Sequence, residues 1–166
     1  SDGGRFSRRA PRRGTGKALM KQVTIYTDGA CSGNPGAGGW GAILMFNGRE
    51  KEISGGERET TNNRMELMAV IAALKRLKEP CEVRLYSDSQ YVVGAFANRW
   101  VESWQRNGWR TANKGEVKNV DLWTELIALT RMHKVEFIKV KGHADNEFNN
   151  RCDKLAREEC KRFLPE

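Results

Sequence analysis

Two apolar runs in this chain end in nearly the same way, Ile25-Tyr26-Thr27-Asp28-Gly29 and Leu85-Tyr86-Ser87-Asp88-Ser89, and one amphipathic helical stretch lies between them. A strand, a helix and a second strand in that order join by a right-handed crossover, which makes the strands parallel and able to lie side by side. Both aspartates then stand at the carboxyl edge of the sheet, where open α/β sheets bind ligands. Neighbouring strands are about 4.8 Å apart. Carboxylates that close repel unless a cation lies between them or one takes up a proton. Hard divalent cations prefer such oxygen donors.

The rest of the chain fills in the sheet. Leu67, Val70, Ile71, Leu74 and Leu77 form one helical stripe, with Thr61 or Asn62 as N-cap and Pro80 after the stop. Ahead of it, residues 40–46 and 49–54 read as antiparallel strands joined by Asn47-Gly48. The first strand is expected to end at Asp28-Gly29, and the glycine-rich run after it to be a turn. A fourth strand spans 82–86 and a fifth 135–140. Helices are expected at about 89–97, 100–107, 120–131 and 148–162, the last with Cys152, Leu155, Ala156 and Cys160 inward. This order implies a mixed α/β sheet with helices on both faces.

Composition narrows the class. A chain of 166 residues is one domain's worth, and 39% hydrophobic with 30% charged residues reads as globular. It has no apolar run of the roughly 20 residues that span a bilayer and no signal-peptide core, so a cytoplasmic protein without membrane attachment is expected. The four cysteines are scattered with no CxxC pair, which argues against zinc and for reduced thiols. The net charge of +8 invites a polyanion, but residues 1–21 hold seven of the basic side chains and one acid, leaving the remainder at +2. Residues 1–18 are expected to be a disordered Arg/Gly-rich tail, either a solvated extension or a phosphate tether, and 19–166 the folded domain. The absence of an initiator Met fits a processed or excised chain.

Further acids join the two aspartates. Glu66 is expected in the first turn of the first helix amid apolar residues, and Asp153 on the core-bordering side of the last. Any one acid alone reads best as a solvated or capping carboxylate. His133 reads as a cation ending a helix.

The blocks IYTDGACSGNPGAGGWGAIL, TTNNRMELMAVIAALKRLK, YSDSQYVV, WQRNGWRTANKGEVKNVDLW and VKGHADNEFNNRCDKLA resemble, in order and spacing, the bacterial-type (type 1) ribonuclease H with its basic protrusion, over about residues 20–163. The resemblance implies a ribonuclease H-like fold with a five-stranded mixed sheet. It implies an endonuclease that hydrolyses the RNA strand of an RNA–DNA hybrid by two-metal-ion catalysis, leaving 5′-phosphate and 3′-hydroxyl ends. Asp28, Glu66, Asp88 and Asp153 would hold two Mg2+ ions, with Mn2+ as a substitute and Asp28 bridging. His143, in the loop after the fifth strand, would assist proton transfer or product release.

Substrate reading follows the same resemblance. Asn34, Asn62, Glu66 and Gln90, with the Cys31–Gly33 backbone, would contact the RNA strand, and Thr61 and Asn119 a DNA phosphate. Trp100, Trp104, Arg106, Arg110 and Lys114 would form the protrusion that grips the DNA strand, basic residues around aromatics being a nucleic-acid groove. Two positions depart from the family pattern: Asn150 stands where relatives often carry an acid, and Glu59 where some carry an arginine. A related two-metal polynucleotidyl transferase, a non-catalytic binding module and the nuclease domain of a larger polymerase are the competing readings. The retained acids and both the TTNNRMEL and KGHADN blocks favour the hybrid-cleaving enzyme, acting as a monomer.

Overall fold

The computed structural model describes residues 20–111, 115–141 and 146–165, so the expected tail, Lys114 and His143 lie outside the described residues. Strands β1 (Lys21–Gly33), β2 (Gly36–Phe46) and β3 (Arg49–Thr60) are followed by helix α1 (Asn62–Lys75) and β4 (Cys81–Ser87). Helices α2 (Gln90–Ala97), α3 (Trp100–Arg106) and α4 (Val120–Met132), then β5 (Lys134–Lys139) and α5 (Glu147–Arg162), complete the order. The sheet runs β3-β2-β1-β4-β5. The β1–β2 and β2–β3 pairs are antiparallel, and β1–β4 and β4–β5 parallel.

Alternation along β1 sends Val23, Ile25 and Thr27 to one face and Thr24, Tyr26 and Asp28 to the other. The first face carries the main core, in which Val23, Ile25 and Leu85 meet the α1 stripe and the fully buried Trp123 of α4. All of the α1 stripe from Leu67 to Leu74 is buried, and Leu77, just past the helix, packs against it in part. Thr61 is the N-cap, its side chain accepting from the Arg64 N–H at 3.2 Å. The second face is covered by α5, whose Phe148 stacks on Tyr26 at 5.2 Å between centroids and whose Cys152 Sγ donates to the Tyr26 carbonyl at 3.3 Å.

Four expectations are corrected. The first strand does not end at Gly29: β1 continues to Gly33, and only Asn34-Pro35 turns the chain before β2 begins. The glycines are strand residues without side chains, and this lets α5 lie directly on the sheet. A Cβ on Gly39 would stand 2.6 Å from the Cys160 backbone nitrogen and 2.8 Å from the Glu159 Cβ. Likewise β3 runs six residues past Ser54, to Thr60. Glu66 is the fifth residue of α1, one place beyond its first turn. His133 is no helix-end cation. It is buried, burial lowers its pKa, and its Nδ1 accepts the Cys81 N–H at 3.1 Å, which requires the neutral ring.

The close seating of α5 gives the first test. Gly39→Ala forces backbone against backbone, and we expect a loss of about 1–3 kcal/mol in urea unfolding. Nuclease activity should fall with it, because α5 also carries Asp153.

Candidate active site

The parallel register brings the two aspartates together. The β1–β4 ladder closes at Tyr26 opposite Tyr86, whose rings stack at 4.7 Å, so Asp28 and Asp88 are each two residues beyond the same rung. From there β1 stays paired to β2 while the other chain leaves β4 for α2, opening a cleft at the carboxyl edge. α1 crosses this cleft close to β1: a Cβ on Gly29 would lie 2.6 Å from the Glu66 backbone nitrogen. Only glycine permits that approach, and it delivers the Glu66 side chain beside Asp28.

Asp28, Glu66 and Asp88 each offer a carboxylate oxygen within 4.8 Å of the others. Asp28 and Glu66 are buried, Asp88 half-buried. Burial, then the charge of Asp88, pushes the Asp28 carboxyl up to about 8, although its Oδ1 accepts the Gly29 N–H at 2.9 Å. Burial, then Asp28, raises Glu66 well above the carboxylate range. Glu66 Oε1 is buried without a hydrogen-bond partner. An orphaned carboxylate oxygen beside two more acids fits a hard divalent cation and little else on a protein surface. Asp153 adjoins Asp28 and adds to its negative field, but stands outside the tight triad. It is half-exposed and ion-paired to Arg157 at 2.8 Å.

Around the triad lie most of the residues expected to meet substrate. Asn34 Oδ1 accepts the Asn62 N–H at 3.0 Å, tying the β1–β2 turn to the start of α1. Gly33 takes a left-handed φ of 89° beside it. Gln90 opens α2, and its Oε1 accepts from Lys139 Nζ at 3.1 Å. Cys31 is half-buried, its Sγ directed to the Thr60 carbonyl at 3.5 Å. Thr61 and Asn119 are linked through Arg64, which also forms a two-pronged ion pair with Asp121 at 2.9–3.1 Å. On α3 Trp100 is exposed, whereas Trp104 packs edge-on against Trp123 at 5.3 Å. Arg106 and Arg110 face solvent. Sequence reasoning missed Arg64, Asp121, Tyr91 and Lys139; the first two are 57 residues apart, and nothing local in the chain signals their pairing.

A sheet edge with buried carboxylates in mutual reach, flanked by amides and basic groups, defines a metal-dependent nuclease class. The comparisons make this specific. The RNase H family model matches residues 20–161. The chain is 67% identical over 143 residues to the ribonuclease H of Acetivibrio thermocellus, covering 86% of this chain and 97% of that one. It is 63% identical over 139 residues to that of Chlorobaculum parvum, covering 84% and 95%. Among solved structures it is similar to LC9-RNase H1, a type 1 RNase H with the type 2 active-site motif (TM-score 0.77, 30% identity, 87% of this chain and 74% of the other). It is also similar to LC11-RNase H1, solved in complex with RNA/DNA hybrid (TM-score 0.63, 26% identity, 84% and 97%). The chain belongs to the ribonuclease H family.

Because Asp28 is raised from an unfolded value of about 4 to about 8, the folded, metal-free protein holds the extra proton between those values. Its stability is therefore greatest at the acid end of that window and is lost as pH rises through it. We expect Asp28→Asn to melt on the order of 2–4 °C higher than wild type in chelator at pH 8, with the gap closing toward pH 5. Added Mg2+ should raise the wild-type melting temperature more at pH 8 than at pH 6. A pH-independent gap in differential scanning calorimetry would contradict the electrostatic assignment.

Proposed function

We propose that Asp28, Glu66, Asp88 and Asp153 hold two Mg2+ ions, with Mn2+ able to substitute, at the scissile phosphate of an RNA–DNA hybrid. The activity follows from family membership: as a ribonuclease H, the chain is an endonuclease that hydrolyses the RNA strand of such hybrids by two-metal-ion catalysis, leaving 5′-phosphate and 3′-hydroxyl ends. The observation that carries the site assignment is the carboxylate triad, two of its members buried, with its orphaned Glu66 oxygen. Divalent cations bound there supply neutralisation of phosphate charge and acidification of a water at neutral pH. Asp28, which feels both Asp88 and Asp153, has the central position suited to a shared ligand.

The protein's own groups place the substrate. Asn34, Asn62, Gln90 and the Cys31–Gly33 backbone read 2′-hydroxyls of the RNA strand from the minor groove, where A-form helices display them. The Asn34–Asn62 bond supports this by holding two of these readers as one unit. Thr61 and Asn119 take a DNA phosphate. Trp100, which is exposed, meets the DNA sugars, Trp104 is held against Trp123, and Arg106, Arg110 and Lys114 grip the backbone. His143 assists proton transfer or product release. The enzyme works as a monomer in the cytoplasm; its four free cysteines suit a reducing compartment, and no described helix is long and apolar enough to cross a membrane.

The test is a gel of end-labelled substrates with Mg2+. Asp28→Asn should lower cleavage by several orders of magnitude while hybrid binding in Ca2+ survives, and His143→Ala should cost roughly 10²–10⁴. Chimaeric strands with a short run of ribonucleotides should be cut, and a DNA duplex with one embedded ribonucleotide should resist. Near-normal activity of Asp28→Asn overturns the metal site. Efficient cutting at the lone ribonucleotide overturns the reading of consecutive 2′-hydroxyls.

A further inference from the structure

Asn119 sits just before α4 with a left-handed φ of 62°, a conformation that asparagine tolerates better than most residues. Its side chain makes no cap hydrogen bond to the helix it precedes. Both of its ends are committed elsewhere. Oδ1 accepts from Arg64 Nη1 at 3.2 Å, and Nδ2 donates to the Tyr91 hydroxyl at 3.1 Å. These two partners are themselves fixed. Arg64 is clamped by both carboxylate oxygens of Asp121, and the Tyr91 oxygen accepts a second bond from Nε1 of the fully buried Trp123 at 2.9 Å. Tyr91 and Trp123 also pack ring against ring at 5.4 Å. One amide thus joins α1, α2 and α4.

This arrangement gives the amide one orientation. Flipping it would set its N–H groups against the guanidinium donors and forfeit the Arg64 bond. In the orientation present, one Nδ2 hydrogen is spent on Tyr91 and the second is left for an incoming acceptor. The Arg64 charge is compensated by Asp121, so the cluster holds an anion by aimed dipoles more than by net charge. Dipoles depend on aim: an ammonium on a flexible stem tolerates misorientation, and an amide does not. Arg64 also ties in Thr61, because its backbone N–H donates to Thr61 Oγ1.

We propose that Tyr91 is a positioning residue for DNA-strand binding, its hydroxyl aiming the Asn119 amide at a phosphate of the hybrid's DNA strand. This rests on the reading of Asn119 as a DNA-phosphate ligand. Tyr91 makes no contact with the scissile phosphate in this scheme, so its removal acts on binding and leaves the chemical step alone.

The experiment is steady-state kinetics on hybrid in Mg2+ with the full chain carrying Tyr91→Phe, Asn119→Ala or both, beside melting temperatures of all three. Tyr91→Phe keeps the ring and its packing and removes only the oxygen. We expect its KM to rise roughly three- to tenfold, as for one lost neutral hydrogen bond, with kcat within about twofold of wild type. In the Asn119→Ala background the same change should add nothing to KM, since the group it aims is gone. A DNA strand neutralised at the contacted linkage by a single methylphosphonate should likewise abolish the penalty. If the KM effects of the two substitutions multiply, the Tyr91 hydroxyl acts independently of Asn119 and the proposal is overturned. If Asn119→Ala raises KM and Tyr91→Phe does not, the proposal fails while the phosphate reading stands. An unchanged KM in Asn119→Ala removes the phosphate reading and the proposal together.

Discussion

Three carboxylates held within 4.8 Å of one another, two of them buried, are a standing electrostatic liability, and the surrounding structure is arranged so that they cannot escape it. In a flexible site the chains would swing apart or turn to solvent. Here Asp28 is locked by ladder bonds to β2, Glu66 is pinned by the crossing of α1 over Gly29, and Asp88 follows the last residue of β4. The price is a pair of carboxyls whose protons are hard to remove without a cation. Divalent metal relieves that repulsion, so metal affinity and protonation are opposite sides of one arrangement.

The fold supplies the rigidity from two directions. On one face α1 and the helices after β4 bury a continuous apolar core against β1, β2 and β4. On the other, α5 lies against Gly39 and Gly41 of β2, with the Cys160 Sγ donating to the Ala37 carbonyl at 3.1 Å. Close seating there positions the start of α5, and hence Asp153, at the rim of the cluster. Asp153 differs from the inner three in being paired to Arg157 at the surface, so it is the member of the set best able to adjust as a site fills.

Much of this was legible in the chain. The repeat of Tyr-Thr-Asp and Tyr-Ser-Asp after two apolar runs, with one helical stripe between, is enough to bring Asp28 and Asp88 side by side from neighbouring strands, because crossover handedness and strand spacing leave few alternatives. The α1 stripe was legible because periodicity reports which face is buried. The glycine-rich run misled: a string of glycines carries no periodicity, and turn and close-packed strand look alike until the element that packs on them is known. His133 misled for a related reason, since position at a helix end suggests a cation, but burial against Cys81 makes the ring neutral.

The sequence by itself determined the element types, the parallel pairing and the family, because these rest on local periodicity and on motif blocks that recur in order. Tertiary structure alone decided that Glu66 reaches Asp28, that Asp153 stays at the rim, and that Asn119 is aimed by Tyr91 and Arg64. Those outcomes depend on distances between residues 28 to 125 positions apart along the chain. No local pattern encodes such distances, because they are set by how whole helices seat on the sheet.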